Sequence, residues 1–272
     1  MPRPEDEWSR EIAFAKINLA LHVRARRDDG YHLLETLFAF CKDGDVVLAR
    51  PADELSMRVV GPFGEGLDGD DNLVMRAARA LREVTGAAGA EIVLDKRLPV
   101  ASGIGGGSAD AAATLRLLTR LWGTDSAHMA KIAITLGADV LACLFSMTAR
   151  GEGVGDVLSP VETPEIENKP VLLVNPRVGV STAQVFREWD SIDRGPLEDW
   201  REGRNDLEAP ARTIAPQIDD VLDWLGRQDG VELVRMSGSG ATCFALFDTL
   251  AARDAAASGV PDKWWHLASE LR

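Results

Sequence analysis

Cysteine, aromatic side chains and positive charge are all scarce in this chain of 272 residues. The three cysteines, Cys41, Cys143 and Cys243, are odd in number, far apart and set among apolar neighbours. That spacing excludes a disulfide framework and a cysteine zinc site, and it predicts buried, reduced thiols in a cytoplasmic protein. Lysine and arginine number 30 against 43 aspartates and glutamates, a net charge of -13. So acidic a balance argues against nonspecific nucleic-acid binding or an acidic membrane surface as partner. An anionic ligand must therefore find a local pocket. No run approaches the roughly eighteen apolar residues that span a bilayer. The acidic opening "MPRPEDEWSREIAFAK" lacks the apolar core of a secretory signal. Internal repeats and low-complexity segments are missing as well.

What is present reads as an α+β chain. "IAFAKINLALHV", Ile12 to Val23, alternates like a strand and carries Lys16 and Asn18 on one face. The turn signal "RRDDGYH" follows, then "LLETLFAF" and "DVVLAR" as two strands separated by Gly44. "DDNLVMRAARALREVTG" predicts a helix with an aspartate cap and a closing Gly86, and "AEIVLDKRLP" a strand. Helices are expected from Ser108 to Trp122 and, capped by Ser126, to Leu136. Proline-rich sequence beyond Val154 suggests a boundary near Gly155, with domains of residues 1–155 and 156–272. In the second, "LLVNP", "VELVRM" and "ATCFALF" predict strands. "TIAPQIDDVLDWLGRQDG" predicts one helix closed by Gly230, another helix runs from Leu250 to Ala257, and Trp264 and Trp265 lie in a tail.

The densest signal is "PVASGIGGGSADAAATL", which sets four glycines among Gly103 to Gly107 directly before an alanine-rich helix. Glycines allow positive φ and close approach of a ligand, and a helix start offers unsatisfied N–H groups and positive potential. No lysine follows the glycines, so the loop is not a P-loop, and Ser108 stands where the third glycine of a dinucleotide loop belongs. A phosphate cradle and a structural turn both remain open at this point.

The same stretch resembles the nucleotide loop of the GHMP kinase superfamily. Three further segments resemble one branch of it, the kinases of a cytidine-diphosphate-linked methylerythritol in the non-mevalonate isoprenoid pathway. They are "AKINLALHV" with "RRDDGYHLLETLF", then "LGADVLACLF", then "RMSGSGATCFALF", in order from residue 12 to residue 248. The resemblance implies a two-domain GHMP kinase fold of mixed and antiparallel sheets, with the active site in the cleft between domains. It implies ATP and magnesium, a small-molecule acceptor phosphorylated on its 2-hydroxyl, no nucleic-acid or membrane partner, and a monomer or weak homodimer.

Residue roles follow from the match. Asp139 is implied as the base for the acceptor hydroxyl and Lys16 as its catalytic partner. Pro99, Val100, Ala101, Ser102, Gly103, Ile104, Gly105, Gly106, Gly107, Ser108 and Ala109 are implied as the triphosphate loop, with Asn72 and Lys96 toward the adenine. Tyr31 and Phe186 would stack on cytosine, His32 would hydrogen-bond it, Asn18 would contact the acceptor, and Gly238 and Gly240 would close near the phosphates. Magnesium ligands are not assigned beyond Ser108 as a candidate. Without the resemblance the same residues read plainly: Asp139 and Asn72 as helix caps, Lys16 and Lys96 as solvated strand charges, Phe186 as core, His32 as a turn residue, and "SGSG" as a hairpin.

Two positions depart from the superfamily pattern: Ala109 replaces a common second serine, and Leu141 replaces the usual proline after "GADV". Other readings are a different GHMP kinase, acting on homoserine, mevalonate or a sugar, and a noncatalytic nucleotide-binding protein. "RRDDGYHLLETLF" has no role with the first group of acceptors, and a binding module needs no proton acceptor at Asp139.

Overall fold

The computed structural model describes residues 8–69 and 71–272; the acidic first seven residues lie outside it. The described residues form two compact units, neither continuous in sequence. The first takes in the described residues up to Ala15, with Asp43–Leu98 and Gly105–Ser146, and the second takes in Lys16–Lys42, Pro99–Ile104 and Met147–Arg272. Two long strands, β1 (Ser9–Arg26) and β2 (His32–Ala52), contribute to both. The expected break at Gly44 does not occur. A Cβ there would lie 1.9 Å from the Ala13 carbonyl oxygen, so this glycine admits a neighbouring backbone instead of turning the chain.

In the first unit follow β3 (Ser56–Val60), α1 (Leu73–Thr85), β4 (Gly89–Asp95), α2 (Gly106–Trp122), α3 (Ala127–Leu136) and α4 (Ala138–Phe145). β4 pairs antiparallel with the later half of β2 and parallel with β3. Helix α1 buries Val74, Ala77, Ala78 and Leu81, one stripe at helical spacing. Its cap is Asn72, whose Oδ1 accepts from the Val74 N–H at 2.9 Å; of the two aspartates expected in that role, Asp70 lies outside the described residues. At the other end Gly86 takes the left-handed conformation, φ 65°. Helix α2 is buried almost all round, and its alanines let α1 and α4 pack closely. Each of Leu115, Leu117 and Leu118 contributes about 1.5–3 kcal/mol by leaving water. Ser126 stands at the N-cap of α3 as expected, but its side chain makes no cap bond; the Asp125 carboxylate takes the Ala127 N–H instead, at 2.8 Å.

In the second unit the earlier half of β2 pairs with β5 (Ala149–Glu152), which pairs with β6 (Val157–Pro160). The rest comprises β7 (Pro170–Asn175), α5 (Thr182–Arg187), α6 (Glu208–Ile214), α7 (Gln217–Leu225), β8 (Val231–Met236), β9 (Cys243–Phe247), α8 (Leu250–Ser258) and β10 (Trp265–Glu270). An antiparallel sheet of order β10-β7-β9-β8 carries the core of this unit. The single helix expected before Gly230 is two, α6 and α7. Pro216 pushes Ala215 to φ -131°, ψ 82°, off the helical region, and α7 closes at Gly226. The tryptophan tail is strand β10, paired with β7 from Trp265 opposite Asn175.

All three cysteines are buried thiols, and burial pushes that of Cys243 up, away from reactivity. Among the described residues, no helix is long and apolar enough to cross a membrane.

One buried histidine makes the second unit sensitive to acid. His22 accepts the Arg204 N–H at Nε2 (3.3 Å), which leaves Nδ1 to donate to the Gly195 carbonyl at 3.1 Å. Burial lowers its pKa from 6.5. Below 6.5 the unfolded chain takes up the proton more readily, so this contribution is intact at neutral pH and lost as pH falls through the folded value. Melting temperature is expected to drop between pH 7.5 and 5, and to drop less in His22→Gln; equal drops would remove His22 from this role.

Candidate active site

In the first unit the glycine-rich segment ends by starting a helix. Gly105, at φ 66° and ψ 20°, is the N-cap of α2, and no side chain satisfies the first-turn N–H groups. Ala109 N–H reaches back to the Gly105 carbonyl at 2.8 Å, which fixes that turn. Ser108 is therefore the third residue of the helix and not its cap. The N–H groups of Gly106, Gly107 and Ser108 are left as donors at the positive end of a 17-residue dipole, an arrangement suited to an anion.

Lys96 lies directly against this turn. It is 3% exposed, so the solvated reading fails. Its Nζ donates to Asp45 Oδ2 at 2.5 Å and to Asp110 Oδ2 at 2.6 Å. A Cβ placed on Gly106 would be 3.0 Å from that nitrogen. Asp45 Oδ1 in turn accepts the backbone N–H groups of Arg97 (2.5 Å) and Leu98 (2.8 Å). Burial pushes the Asp110 carboxyl up to about 8 against the pull of Lys96, and Asp45 adds to the rise. Burial also pulls the ammonium down, but Asp110 and Asp45 more than offset it, and its pKa ends raised. Asp45 and Asp110 were invisible from sequence because they lie 51 and 14 positions from their partner.

Asn72 is fully used at the head of α1, its Nδ2 donating to the Leu67 carbonyl at 2.7 Å while Oδ1 caps the helix. Asp139 is the second residue of α4 and half-buried, after Gly137 as N-cap. It is therefore not the N-cap, and a carboxylate in the first turn is favoured by the dipole. Helix α4 forms with Leu141 in place of proline. Ala109 is buried in the packed side of α2.

In the second unit, Lys16 and Asn18 share one face of β1, as their spacing requires. Lys16 is 3% exposed. Its Nζ donates to Asn18 Oδ1 at 3.0 Å and stands 5.2 Å from the Phe38 ring centroid. Asn18 Nδ2 donates to Thr36 Oγ1 at 2.8 Å, and the Asn18 N–H to Ser237 Oγ at 3.2 Å. Ser237 Oγ donates onward to the Gly103 carbonyl at 3.0 Å, and Thr242 N–H to the Ser102 carbonyl at 3.1 Å. The "SGSGAT" segment between β8 and β9 thus holds the residues before the helix in place, which a plain hairpin would not do. Gly103 (φ 77°) and Gly238 (φ 55°) meet backbone to backbone; a Cβ on Gly103 would come within 2.4 Å of the Ser237 oxygen. Asn205 Nδ2 steadies the segment through the carbonyls of Met236 and Gly238, both at 2.8 Å. Thr36 and Ser237 lie inside the quoted motifs but were given no role there, and Asn205 lies in no motif.

The residues expected at cytosine lie in this unit. Tyr31 is 64% exposed, its ring standing in solvent. The His32 ring is 4.8 Å from that of Phe186, tilted by 30°, and 5.6 Å edge-on from that of Trp189. Burial, with a smaller push from Arg26, lowers the His32 pKa, so its imidazole is neutral at pH 7. Trp189, three residues after Phe186, is the aromatic the sequence reading missed.

Residues 72–147 match the GHMP kinases N terminal domain, and residues 189–266 match the GHMP kinases C terminal domain. The chain is 54% identical to 4-diphosphocytidyl-2-C-methyl-D-erythritol kinase of Rhizorhabdus wittichii, over 96% of this chain and 94% of that one. It is 52% identical to the protein of the same name from Novosphingobium aromaticivorans, over 97% and 93%. A crystal structure of 4-(cytidine 5'-diphospho)-2C-methyl-D-erythritol kinase superposes with a TM-score of 0.83 at 34% identity, covering 97% of this chain and 99% of that one. The chain therefore belongs to the GHMP kinases, in the family of 4-diphosphocytidyl-2-C-methyl-D-erythritol kinases.

Proposed function

We propose that the protein transfers the γ-phosphoryl group of ATP to the 2-hydroxyl of 4-diphosphocytidyl-2-C-methyl-D-erythritol, releasing ADP and the 2-phosphate. The observation that carries this reading is the opening of α2, where a glycine N-cap leaves a row of backbone donors with no side-chain cap. Residues Pro99 to Ala109 hold the triphosphate, with Asn72 and Lys96 in the nucleotide half. Residues 1–155 do the nucleotide and catalytic work, and residues 156–272 complete the acceptor site.

Phosphoryl transfer demands in-line placement, neutralisation of charge on the transferring group and a destination for the hydroxyl proton. Asp139 takes that proton. Lys16 brings positive charge to the oxygens of the transferring group, and its bond to Asn18 holds the ammonium at a fixed height on β1. The described residues gather no group of three or more His, Cys, Asp or Glu able to hold a metal ion. Ser108 is the hydroxyl the loop would offer to a magnesium ion bound with ATP. Magnesium, when bound, would neutralise phosphate charge. Three buried thiols support a reducing, cytoplasmic setting.

Lys16→Met is expected to lower kcat by roughly 10²- to 10³-fold, the scale of losing one preorganised donor to developing charge. ATP affinity should change much less. A variant with unaltered kcat would take Lys16 out of the reaction. For the acceptor, base–aromatic stacking is worth about 1–3 kcal/mol, so Tyr31→Ala should raise the acceptor KM by roughly five-fold or more while leaving that for ATP alone. Because the Tyr31 ring is exposed, the substitution costs the fold little, and an unchanged acceptor KM would place the base elsewhere.

A further inference from the structure

We propose that Lys96, Asp45 and Asp110 form a buried ionic floor beneath the phosphate loop, and that Lys96 serves the nucleotide by positioning Gly105 and Gly106 rather than by reading the adenine. The inference rests on the nucleotide reading above and deepens it. Lys96 can donate three hydrogen bonds; two are committed to buried carboxylates at 2.5 and 2.6 Å. Its charge is matched on the spot by the buried Asp45 carboxylate, with Asp110 taking a second hydrogen bond, so the attraction for phosphate comes from the helix start and not from this ammonium.

The three side chains also join three separate pieces of backbone. Asp110 belongs to the second turn of α2, the helix that the loop starts. Asp45 lies in β2 and takes the N–H groups of Arg97 and Leu98, the segment leading out of β4 toward the loop. Lys96 lies between them, and the bare Cα of Gly106 rests over its nitrogen, where a Cβ would be 3.0 Å away. Asp110 Oδ1 is buried without a hydrogen-bond partner, a cost retained at the one place where the carboxylate meets Lys96. The buried residues of α1, α3 and α4 are apolar, so no other buried charge from those helices could replace this anchor.

The test compares ATP with inorganic tripolyphosphate, which has the phosphates and no base, as ligands of the full chain. In Lys96→Met both dissociation constants should rise together, on the order of tenfold, with the acceptor KM unchanged. Asp110→Asn keeps the side-chain shape and should raise both by a smaller, equal factor. A general loss of stability would not spare the acceptor while penalising both phosphate ligands alike. The wild-type protein supplies a check free of any substitution: the Lys96 ammonium resonance should shift equally with ATP and with tripolyphosphate. Weakening confined to ATP, or a resonance that responds to ATP alone, would make Lys96 a ligand of the base and overturn the proposal, as would no change for either ligand. A wild-type protein that binds neither compound would instead defeat the nucleotide reading itself.

Discussion

Asp139→Asn is expected to keep ATP binding and the fold while turnover falls by about 10²- to 10⁴-fold, the usual scale for loss of a general base. Asparagine preserves the size of the side chain and is tolerated in the first turn of α4, where Asp139 stands. What it removes is the capacity to accept a proton. Because the carboxylate also gains from the helix dipole, a small stability loss of about 0.3–1 kcal/mol should accompany the change. Thermal melting with and without ATP separates that minor effect from the catalytic one. Turnover within a few-fold of the parent protein would mean that the 2-hydroxyl proton leaves by another route.

Gly103→Ala is expected to damage both the fold and nucleotide binding. Gly103 has φ 77°, which costs a non-glycine residue of order 1–3 kcal/mol. Strain alone is not decisive, since Ala101 in the same segment adopts φ 50° while exposed. The difference lies in crowding. A methyl group on Gly103 would meet the Ser237 oxygen at 2.4 Å, the Gly240 oxygen at 2.8 Å and the Gly240 nitrogen at 2.9 Å, all backbone atoms that cannot rotate aside. Either the Ser237–Thr242 segment or the Pro99–Ile104 segment must move, and the bonds from Ser237 Oγ and Thr242 N–H go with it. Gly123→Ala provides the comparison. It too has positive φ, 62°, but has nothing within 4 Å and lies at the far end of α2, so it should cost about 1 kcal/mol and leave ATP affinity intact. Equal behaviour of the two variants would show that the close approach at Gly103 carries no special weight.

These two predictions also mark where the sequence was readable and where it was not. Local signals were read well: the periodic apolar stripe of α1, the closing Gly86, the paired positions of Lys16 and Asn18, and the glycines before α2 all depend on neighbours within a turn or two. Misreadings arose where a local signal had a distant cause. Gly44 looked like a turn because the backbone of Ala13, against which it packs, is remote in sequence. Pro216 was passed over because the apolar spacing on either side of it continues across the break between α6 and α7. Ser126 does hold the N-cap position of α3, yet the bond to the free Ala127 N–H comes from the neighbouring Asp125.

For the site the division is sharper. Motif residues stood out one by one, but the bonds that tie them to one another and to their supports did not, because Ser237 lies 219 positions from Asn18 and Asp45 lies 51 positions from Lys96. Lys96 illustrates the cost of that blindness. As a lone lysine after a strand it reads as solvated, and only its two carboxylates reveal a buried charge whose loss would be felt through the loop above it.

The most direct measurement gives the purified protein ATP, magnesium and 4-diphosphocytidyl-2-C-methyl-D-erythritol and follows ADP together with the phosphorylated product. Equimolar ADP and 2-phosphate, with negligible turnover of homoserine or mevalonate, is the expected result. No product from this acceptor, with phosphorylation of homoserine or mevalonate in its place, would contradict it.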